Sequence, residues 1–364
     1  MQTKPATQNN IKRLVLAAAM AMTMGMAAPA QALLINLTST GNASADAGFQ
    51  AAANFWQGVF VDPITVNITA AFYALGTNVL GQANSSLMGT SFSSIKTALA
   101  ADATSADDAI MVAGMPAGSS YSKYLNGTLT DGGAAHVQSG VTDVRLTTAN
   151  AKALGLYPAN FATQDAQITF SSLFSFDFDQ SDGIGAGQID FVGIAIHELG
   201  HAMGFISGVD MLDMYFGGTT DSALGADATL LDFTRCSSAS EAAGADMDWT
   251  ADKRAKDFAI DGQCTALVSN AWATGVKQGD GTQASHWKDG YFTGVQIGIM
   301  DPYAAPTGQL NVVSARDIQA FDVIGWTLAS NTLVPASVPE PATLLLLAPA
   351  LLGMAGMRRR GRVD

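Results

Sequence analysis

Apolar and polar residues recur along this chain with two different periods, and these periods separate expected helices from expected strands. Some stretches carry apolar residues at helical spacing, whereas others alternate apolar and polar residues one by one. Asp62-Pro63 interrupts the first helical stretch just before the first strand. The pattern predicts helices over residues 45–56, 94–101 and 105–113, and strands over residues 64–69 and 166–172, the last running on to Phe176.

Two further helices are marked by capping residues as well as by periodicity. Asp190, a residue type that caps helix N-termini, precedes the apolar run 191–196, and Gly204 stands where that helix would end. Ser314, with Asp317 three residues later, predicts the start of another helix, which Gly325 would end.

The first of these two helices contains His197-Glu198-Leu199-Gly200-His201, an HExxH motif. Residues four apart on a helix project about 40° apart around its axis, so both imidazoles are able to reach one ion. Glu198 would then lie beside the metal and take a proton from a zinc-activated water. The motif also occurs by chance on ordinary amphipathic helices. The preceding apolar run, the capping residues and a total of four histidines favour a zinc site over that alternative.

A catalytic zinc ion usually takes three protein ligands, and the sequence offers two candidates for the third. The compact form of the motif places a third histidine where Ser207 stands here, and Asp210 lies beyond that position. His286 is the only histidine downstream of the helix, and Glu241 is the only glutamate free for the role. His136 lies in a Gly/Ala-rich stretch, where a solvated loop is expected rather than a ligand.

The residues around His286 resemble a known family. Ser285-His286-Trp287 and the later Ile299-Met300-Asp301-Pro302 are similar to the third-ligand segment and the methionine turn of leishmanolysin-type metzincins. The insertion between the helix and His286 is longer than expected for that family. The resemblance implies that His197, His201 and His286 bind zinc and that Met300 forms the hydrophobic floor beneath the ion.

The same resemblance implies a zinc-dependent metalloendopeptidase that acts on proteins or peptides, with Glu198 as general base. It further implies an α+β, metzincin-like fold. Residues 33–206 would form an N-terminal subdomain with a mixed sheet and the active-site helix, and residues 207–329 a more irregular C-terminal subdomain. The strand Gln167–Ser172 would form the upper edge of the cleft and pair with an extended substrate. Two alternatives stay open: a gluzincin-like peptidase with Glu241 as third ligand, and a non-catalytic surface or matrix protein with a structural metal.

The N-terminal segment has the pattern of a secretory signal peptide over residues 1–32. Basic Lys12-Arg13 precede an apolar stretch that ends in the small-residue sequence Ala30-Gln31-Ala32. Export to an oxidising compartment makes a disulfide between Cys236 and Cys264 the expected state of the two cysteines.

The C-terminal segment, residues 338–364, follows a linker over residues 330–337 and resembles the PEP-CTERM sorting signal of Gram-negative bacteria. Pro339-Glu340-Pro341, an apolar stretch to Met357 and the basic run 358–362 occur in that order. The resemblance implies processing by an exosortase-type enzyme, transient membrane contact through a short helix, and release to the cell surface or exopolysaccharide matrix. An ordinary C-terminal membrane tail is the alternative.

Acidic residues dominate the charge, and the formal net charge is −13. This balance disfavours nucleic acid as a partner. Asp177, Asp179 and Asp182 lie close enough in sequence to hold calcium, but their spacing does not match an EF-hand loop, and a solvated turn is the simpler interpretation.

Overall fold

The computed structural model describes residues 32–126, 134–214 and 227–330, which form one compact unit with a mixed α+β architecture. The helices are α1 (Ala43–Val59), α2 (Phe92–Asp102), α3 (Ala106–Gly114), α4 (Thr148–Ala153), α5 (Phe191–Ala202), α6 (Val209–Met214), α7 (Ser238–Ala242), α8 (Gly290–Thr293) and α9 (Ala315–Asp322), with a 3₁₀ turn over Leu231–Thr234. The strands are β1 (Leu34–Leu37), β2 (Thr65–Tyr73), β3 (Gly81–Ser85), β4 (Leu87–Ser91), β5 (Tyr121–Leu125), β6 (His136–Val141), β7 (Asp143–Thr147), β8 (Ala166–Ser171), β9 (Phe176–Asp177), β10 (Ile189–Asp190), β11 (Ala228–Thr229), β12 (Arg235–Cys236), β13 (Met247–Asp248) and β14 (Asp257–Phe258).

The largest sheet has the strand order β1-β2-β8-β3. β1, β2 and β8 are parallel to one another, whereas β3 runs antiparallel to β8 at the end of the sheet. Two three-stranded sheets, β11-β7-β4 and β13-β5-β6, and the pairs β9-β10 and β12-β14 complete the strand pairing. We expected Gln167–Ser172 to form the edge of the cleft. That expectation is wrong, because β8 is an interior strand and β3 occupies the edge.

Helix α1 packs against α5, and this packing fixes the position of the histidine motif. Asn42 caps α1 by accepting hydrogen bonds from the two backbone N–H groups at residues 44 and 45. The indole nitrogen of Trp56 donates to the Ile196 carbonyl at 3.0 Å, and the ring of Phe49 meets that of Phe191 edge-on at 5.0 Å. The apolar face of α1 therefore holds the helix that carries the candidate ligands.

The region after α5 consists of short elements and loops around a second aromatic core. Trp272 and Trp287 stack at 4.3 Å, and Phe205 and Phe258 pack against Trp287. The predicted disulfide is present and joins Cys236 of β12 to Cys264, with a Cα–Cα distance of 5.7 Å. These contacts give the long insertion an ordered interior although it contains little regular secondary structure.

The five helices predicted between residues 45 and 325 are present, with ends that differ by a few residues from the expected ones. Asp190, Ser314 and Gly325 lie at helix ends as predicted. His136 departs from expectation, because it begins strand β6 instead of lying in a loop, although its side chain is exposed as expected. The expected subdomain boundary at residue 206 lies in the turn that follows α5, and the division into 33–206 and 207–329 stays a prediction.

The expected signal peptide up to residue 31, the linker from residue 331 and the C-terminal sorting segment lie outside the described residues. Across the part of the chain that the structure describes, we find no helix that is both long and apolar enough to cross a bilayer. The expected short membrane helix over residues 342–357 belongs to the undescribed segment.

Candidate metal centre

Helix α5 presents its two histidines from a rigid, well-capped element. The Asp190 side chain accepts a hydrogen bond from the Gly193 N–H at 2.9 Å, which satisfies the first turn. The helix ends at Ala202 with Met203 as its C-cap. The following Gly204 has a φ of +116°, a conformation that residues with a Cβ rarely adopt. His197 and His201 lie one turn apart on the same face, as the motif predicts.

The structure brings His286 to the same face of α5, although it lies 85 residues after His201 in sequence. The Nε2 atoms of His197 and His201 are 3.0 Å apart, and those of His201 and His286 are 3.2 Å apart. Across residues 32–126, 134–214 and 227–330, these three histidines are the only group of three or more potential ligands that converges in this way.

Hydrogen bonds on the other ring nitrogen determine the protonation of each imidazole. Nδ1 of His197 contacts the Ile299 carbonyl at 2.7 Å, and Nδ1 of His201 contacts the Phe205 carbonyl at 2.7 Å. Nδ1 of His286 makes the equivalent contact with the carbonyl at position 283, at 3.2 Å. A carbonyl oxygen only accepts hydrogen bonds, so each Nδ1 carries the proton and each Nε2 carries a lone pair.

Three Nε2 lone pairs therefore face a common point. Without a cation or proton between them these lone pairs would repel one another, because none of the three Nε2 atoms carries a hydrogen to donate. Burial lowers the pKa of His197 to about 4 and that of His201 to about 3, the neighbouring His197 adding to the shift at His201. Burial also holds the pKa of His286 well below its ordinary value. Neutral imidazole is the form that binds metal ions.

The donor set and its spacing fit zinc. Zinc binds imidazole nitrogen at about 2.0–2.1 Å, so three nitrogens in a tetrahedral arrangement would be roughly 3.3 Å apart. The separations of His201 from His197 and from His286, 3.0 and 3.2 Å, are close to that value, and all three ligand atoms lie within 4.8 Å of one another. In metal-binding histidines, the ring nitrogen that does not bind the metal also typically donates a hydrogen bond to a backbone carbonyl or carboxylate.

Met300 packs against the middle of α5, at Gly200. It is fully buried, and a Cβ built on Gly200 would come within 2.7 Å of its sulfur. The backbone of the same turn also contacts the histidine segments directly. The Met300 carbonyl accepts from the Trp287 N–H at 2.9 Å, and the carbonyl of its neighbour Ile299 accepts from His197. Met300 therefore packs against the helix between the two histidines, and its role as the floor of a zinc site stays a prediction.

Glu198 is buried beside the cluster, in one of two cavities that flank the histidines. The first, the Glu198 cavity, has a volume of about 280 Å³ and is also lined by His197, Gly81 and Tyr303. Burial raises the pKa of Glu198 to about 8. A cation held by the histidines would oppose this shift by favouring the charged carboxylate. Tyr303, to which the sequence analysis assigned no role, is exposed at the rim of this cavity.

The second, the His201 cavity, has a volume of about 260 Å³ and lies on the other side of the histidine cluster. Its apolar lining includes Leu87, Ile206, Met211 and Met214. Strand β3 contributes to both cavities, with Gly81 at the first and residues 83–85 at the second. Strand β3 therefore lines both cavities, and in the described part of the chain its outer edge has no strand partner.

The other candidate ligands suggested by the sequence do not join the cluster. Glu241 is exposed on the short helix α7 and lines a separate pocket with both cysteines of the disulfide. The Asp177 carboxylate accepts from the backbone N–H groups of Asp179 and Gly185, and Asp179 accepts from Ser181. With Asp182 exposed in the same turn, a calcium site there stays a prediction.

The sequence did not indicate that two aspartates support the histidine site. Asp210 and Asp317 both accept hydrogen bonds from residues of the segments that carry the third ligand and the methionine turn. Asp317 had been identified as a helix-capping residue, a role that it does have. Nothing in the sequence indicated its additional bonds to the Trp287 indole and the Ile299 N–H, because those partners come from distant parts of the chain.

Comparison with known proteins identifies one segment of the chain. Residues 337–360 match the PEP-CTERM protein-sorting motif. No curated protein and no solved structure matches the chain. The motif indicates an exported protein that is sorted to the cell surface or extracellular space of a Gram-negative bacterium, and it is the kind of signal that an exosortase-type enzyme recognises.

Proposed function

We propose that this exported protein is a zinc-dependent endopeptidase whose metal ligands are His197, His201 and His286. The observation that carries the proposal is the convergence of three Nε2 lone pairs beside a buried glutamate, with one cavity lined by His197 and Glu198 and another lined by His201. The order of the HExxH helix, the His286 segment and the Met300 turn further supports an arrangement like that of leishmanolysin-type metzincins.

The chain's own residues have distinct roles in this proposal. A zinc ion bound by the three imidazoles would act as a Lewis acid that polarises a carbonyl and lowers the pKa of water. Glu198 accepts the proton of the attacking water and delivers it to the leaving amine. Because its carboxylate is buried, few water molecules compete for that proton.

Strand β3 is suited to hold an extended peptide across the cleft. It is the last strand of its sheet in the described chain, so one side of its backbone has no strand partner there. An exposed strand edge binds extended peptides through main-chain hydrogen bonds, while neighbouring pockets receive side chains. The Glu198 cavity and the His201 cavity occupy the corresponding places on either side of the histidines.

The proposal is tested by comparing wild-type protein with Glu198→Gln for cleavage of casein, with zinc content measured in both. Glu198→Gln should retain zinc and lose activity by about two orders of magnitude or more, because general base catalysis typically contributes that much. Glu241→Gln is the matched control, since it makes the same chemical change at an exposed glutamate outside the cleft.

The possible outcomes distinguish the proposed mechanism from the two alternative functions. Unchanged cleavage by Glu198→Gln contradicts the mechanism. Loss of zinc from Glu241→Gln supports the gluzincin-like alternative. Zinc in every variant with cleavage by none supports the non-catalytic surface or matrix protein, in which the metal only stabilises the fold.

A further inference from the structure

Asp210 connects the loop that carries His286 to helix α6, which follows the helix that carries the other two histidines. It lies in the first turn of α6, shortly after the end of α5. Its carboxylate accepts from the Ala284 N–H at 2.6 Å, from the Ser285 N–H at 3.1 Å and from the Ser285 hydroxyl. All three donors belong to the two residues that immediately precede His286.

Ser285 extends this connection back to the turn after α5. Its hydroxyl oxygen accepts from the Ser207 N–H at 2.8 Å while donating to Asp210. Ser207 stands where the compact motif would have its third histidine. The turn that lacks a ligand of its own thus holds the segment that supplies one.

The partners of Asp210 call specifically for a carboxylate. An ionised carboxylate only accepts hydrogen bonds, and three donors from the loop converge on its two oxygens. In an asparagine, an NH₂ group would replace one of the two oxygens. That NH₂ group would face at least one N–H or O–H donor of the loop, and no hydrogen bond could form between them. Bonds from N–H and O–H to a charged acceptor are also stronger than those to a neutral one.

On the far side of His286, a second buried carboxylate holds the chain. Asp317 accepts from the Trp287 indole at 2.7 Å and from the Ile299 N–H at 2.8 Å. His286 is therefore flanked in sequence by residues tied to aspartates on two different helices, α6 and α9. Its own Nδ1 contact, at 3.2 Å, is the longest of the three histidines, so its position depends more on the neighbouring anchors.

We propose that Asp210 is a positioning residue for the metal centre, which holds the Ser285-His286 segment so that the His286 Nε2 meets the two helix histidines. The inference rests on the proposed zinc site and concerns how that site is built. In this proposal the turn after α5 connects two helices and also holds the third ligand in place.

The experiment measures zinc affinity of the purified full-length protein by competition with a chromophoric chelator, together with the visible spectrum of the Co²⁺-loaded form. Asp210→Asn should weaken zinc binding by about 10- to 100-fold, the usual effect of losing a residue that orients a ligand. The Co²⁺ absorption bands should also change, because they report the ligand geometry directly.

Asp213→Asn is the matched control on the same helix. The Asp213 carboxylate also accepts backbone N–H groups from a loop, at Val276 and Lys277, but that loop carries no candidate ligand. Asp213→Asn should keep wild-type zinc affinity and the wild-type Co²⁺ spectrum. Ser285→Ala provides a second test if Asp210→Asn does not fold, since it removes the hydroxyl link but leaves two backbone bonds to Asp210. We expect a several-fold loss of affinity in that variant.

The outcomes distinguish this inference from the proposed function. Wild-type zinc affinity in both Asp210→Asn and Ser285→Ala, with weakened binding in His286→Ala, overturns the positioning role and leaves the zinc site standing. An equal loss in Asp213→Asn and Asp210→Asn also overturns it, because the effect would then be general destabilisation. A wild-type protein that binds no zinc overturns the proposed function as well.

Discussion

Individual hydrogen bonds give the histidine cluster its chemistry. Each Nδ1 is committed to a backbone carbonyl, and as a result each Nε2 lone pair is available to a metal ion. The convergence of His197 and His201 was predictable from the sequence, because the two residues share a helix face. The carbonyl partners were not, since the carbonyl of Ile299 comes from a segment about a hundred residues later.

Gly200 between the two helix histidines is a position where one methyl group should be costly. A Cβ there would approach the Met300 sulfur to 2.7 Å and Phe321 to 3.2 Å. We predict that Gly200→Ala lowers the free energy of unfolding by about 1–3 kcal/mol, the usual cost of overpacking a buried site. Urea unfolding monitored by circular dichroism measures this change.

Gly58→Ala in α1 is the matched control for that prediction. Gly58 is exposed and has no neighbouring atom within 4 Å of a built Cβ, so the substitution should stabilise the protein by about 0.5–1 kcal/mol. Opposite signs for the two variants are expected. Stabilisation by Gly200→Ala would show that Met300 does not pack against the helix as described.

Strand β3 shows what element-level prediction from the sequence could and could not achieve. Helices α1 and α5 were predictable because capping residues and apolar spacing are local signals. The position of β8 inside the sheet was not, because strand order depends on pairing between segments far apart in sequence. The edge strand itself, Gly81-Gln82-Ala83-Asn84-Ser85, has too few apolar residues for its alternation to stand out.

The open edge of β3 can be tested without disturbing its pairing with β8. Leu80 and Ser86 both bond to the β8 side, so in an antiparallel ladder the even-numbered residues between them do the same. The odd-numbered residues Gly81, Ala83 and Ser85 therefore direct their backbone N–H and C=O groups toward the free edge.

We predict that Ala83→Pro reduces kcat/KM for peptide cleavage by about tenfold, since it removes one N–H that would bind an extended substrate. The fold should be retained, because proline is tolerated at edge strands where the N–H faces away from the sheet. Ala83→Val, which keeps the N–H, should behave like the wild type. Wild-type kinetics in a folded Ala83→Pro variant would exclude substrate pairing at this position.

At the scale of the whole molecule, several acidic side chains meet where four separate elements come together. Asp62 follows α1, Asp102 ends α2, Asp108 lies in the first turn of α3 and Asp322 ends α9. Burial raises the pKa of Asp62 to about 7, that of Asp102 to about 6 and that of Asp322 to about 7, and mutual repulsion adds to each shift. Burial of one Asp322 oxygen without a hydrogen-bond partner agrees with a preference for the neutral form.

These shifts set the direction in which stability should change with pH. Because the folded pKa values lie above the ordinary value of 3.8, the folded protein binds more protons than the unfolded chain between about pH 4 and pH 7. Their contribution to stability is complete below the unfolded pKa and is lost as the pH rises through the folded values. Carboxyl groups with a lowered pKa, such as that of Asp46, contribute to stability in the opposite sense, and they lose that contribution as the pH falls. The effect of the raised pKa values on stability is therefore measured above pH 5.

We therefore predict that Asp322→Asn becomes more stable relative to wild type as the pH is raised from 5 to 8, by about 2–3 kcal/mol. Asparagine retains an acceptor for the Ser105 hydroxyl, which bonds to Asp322 at 2.7 Å, but it never becomes charged. Urea unfolding of both proteins at several pH values measures the difference. Asp182→Asn, at an exposed position, should show no such trend. A constant difference between Asp322→Asn and wild type across this range would mean that Asp322 is already ionised in the folded protein at pH 5, and that its neighbours or solvent stabilise the charge that burial disfavours.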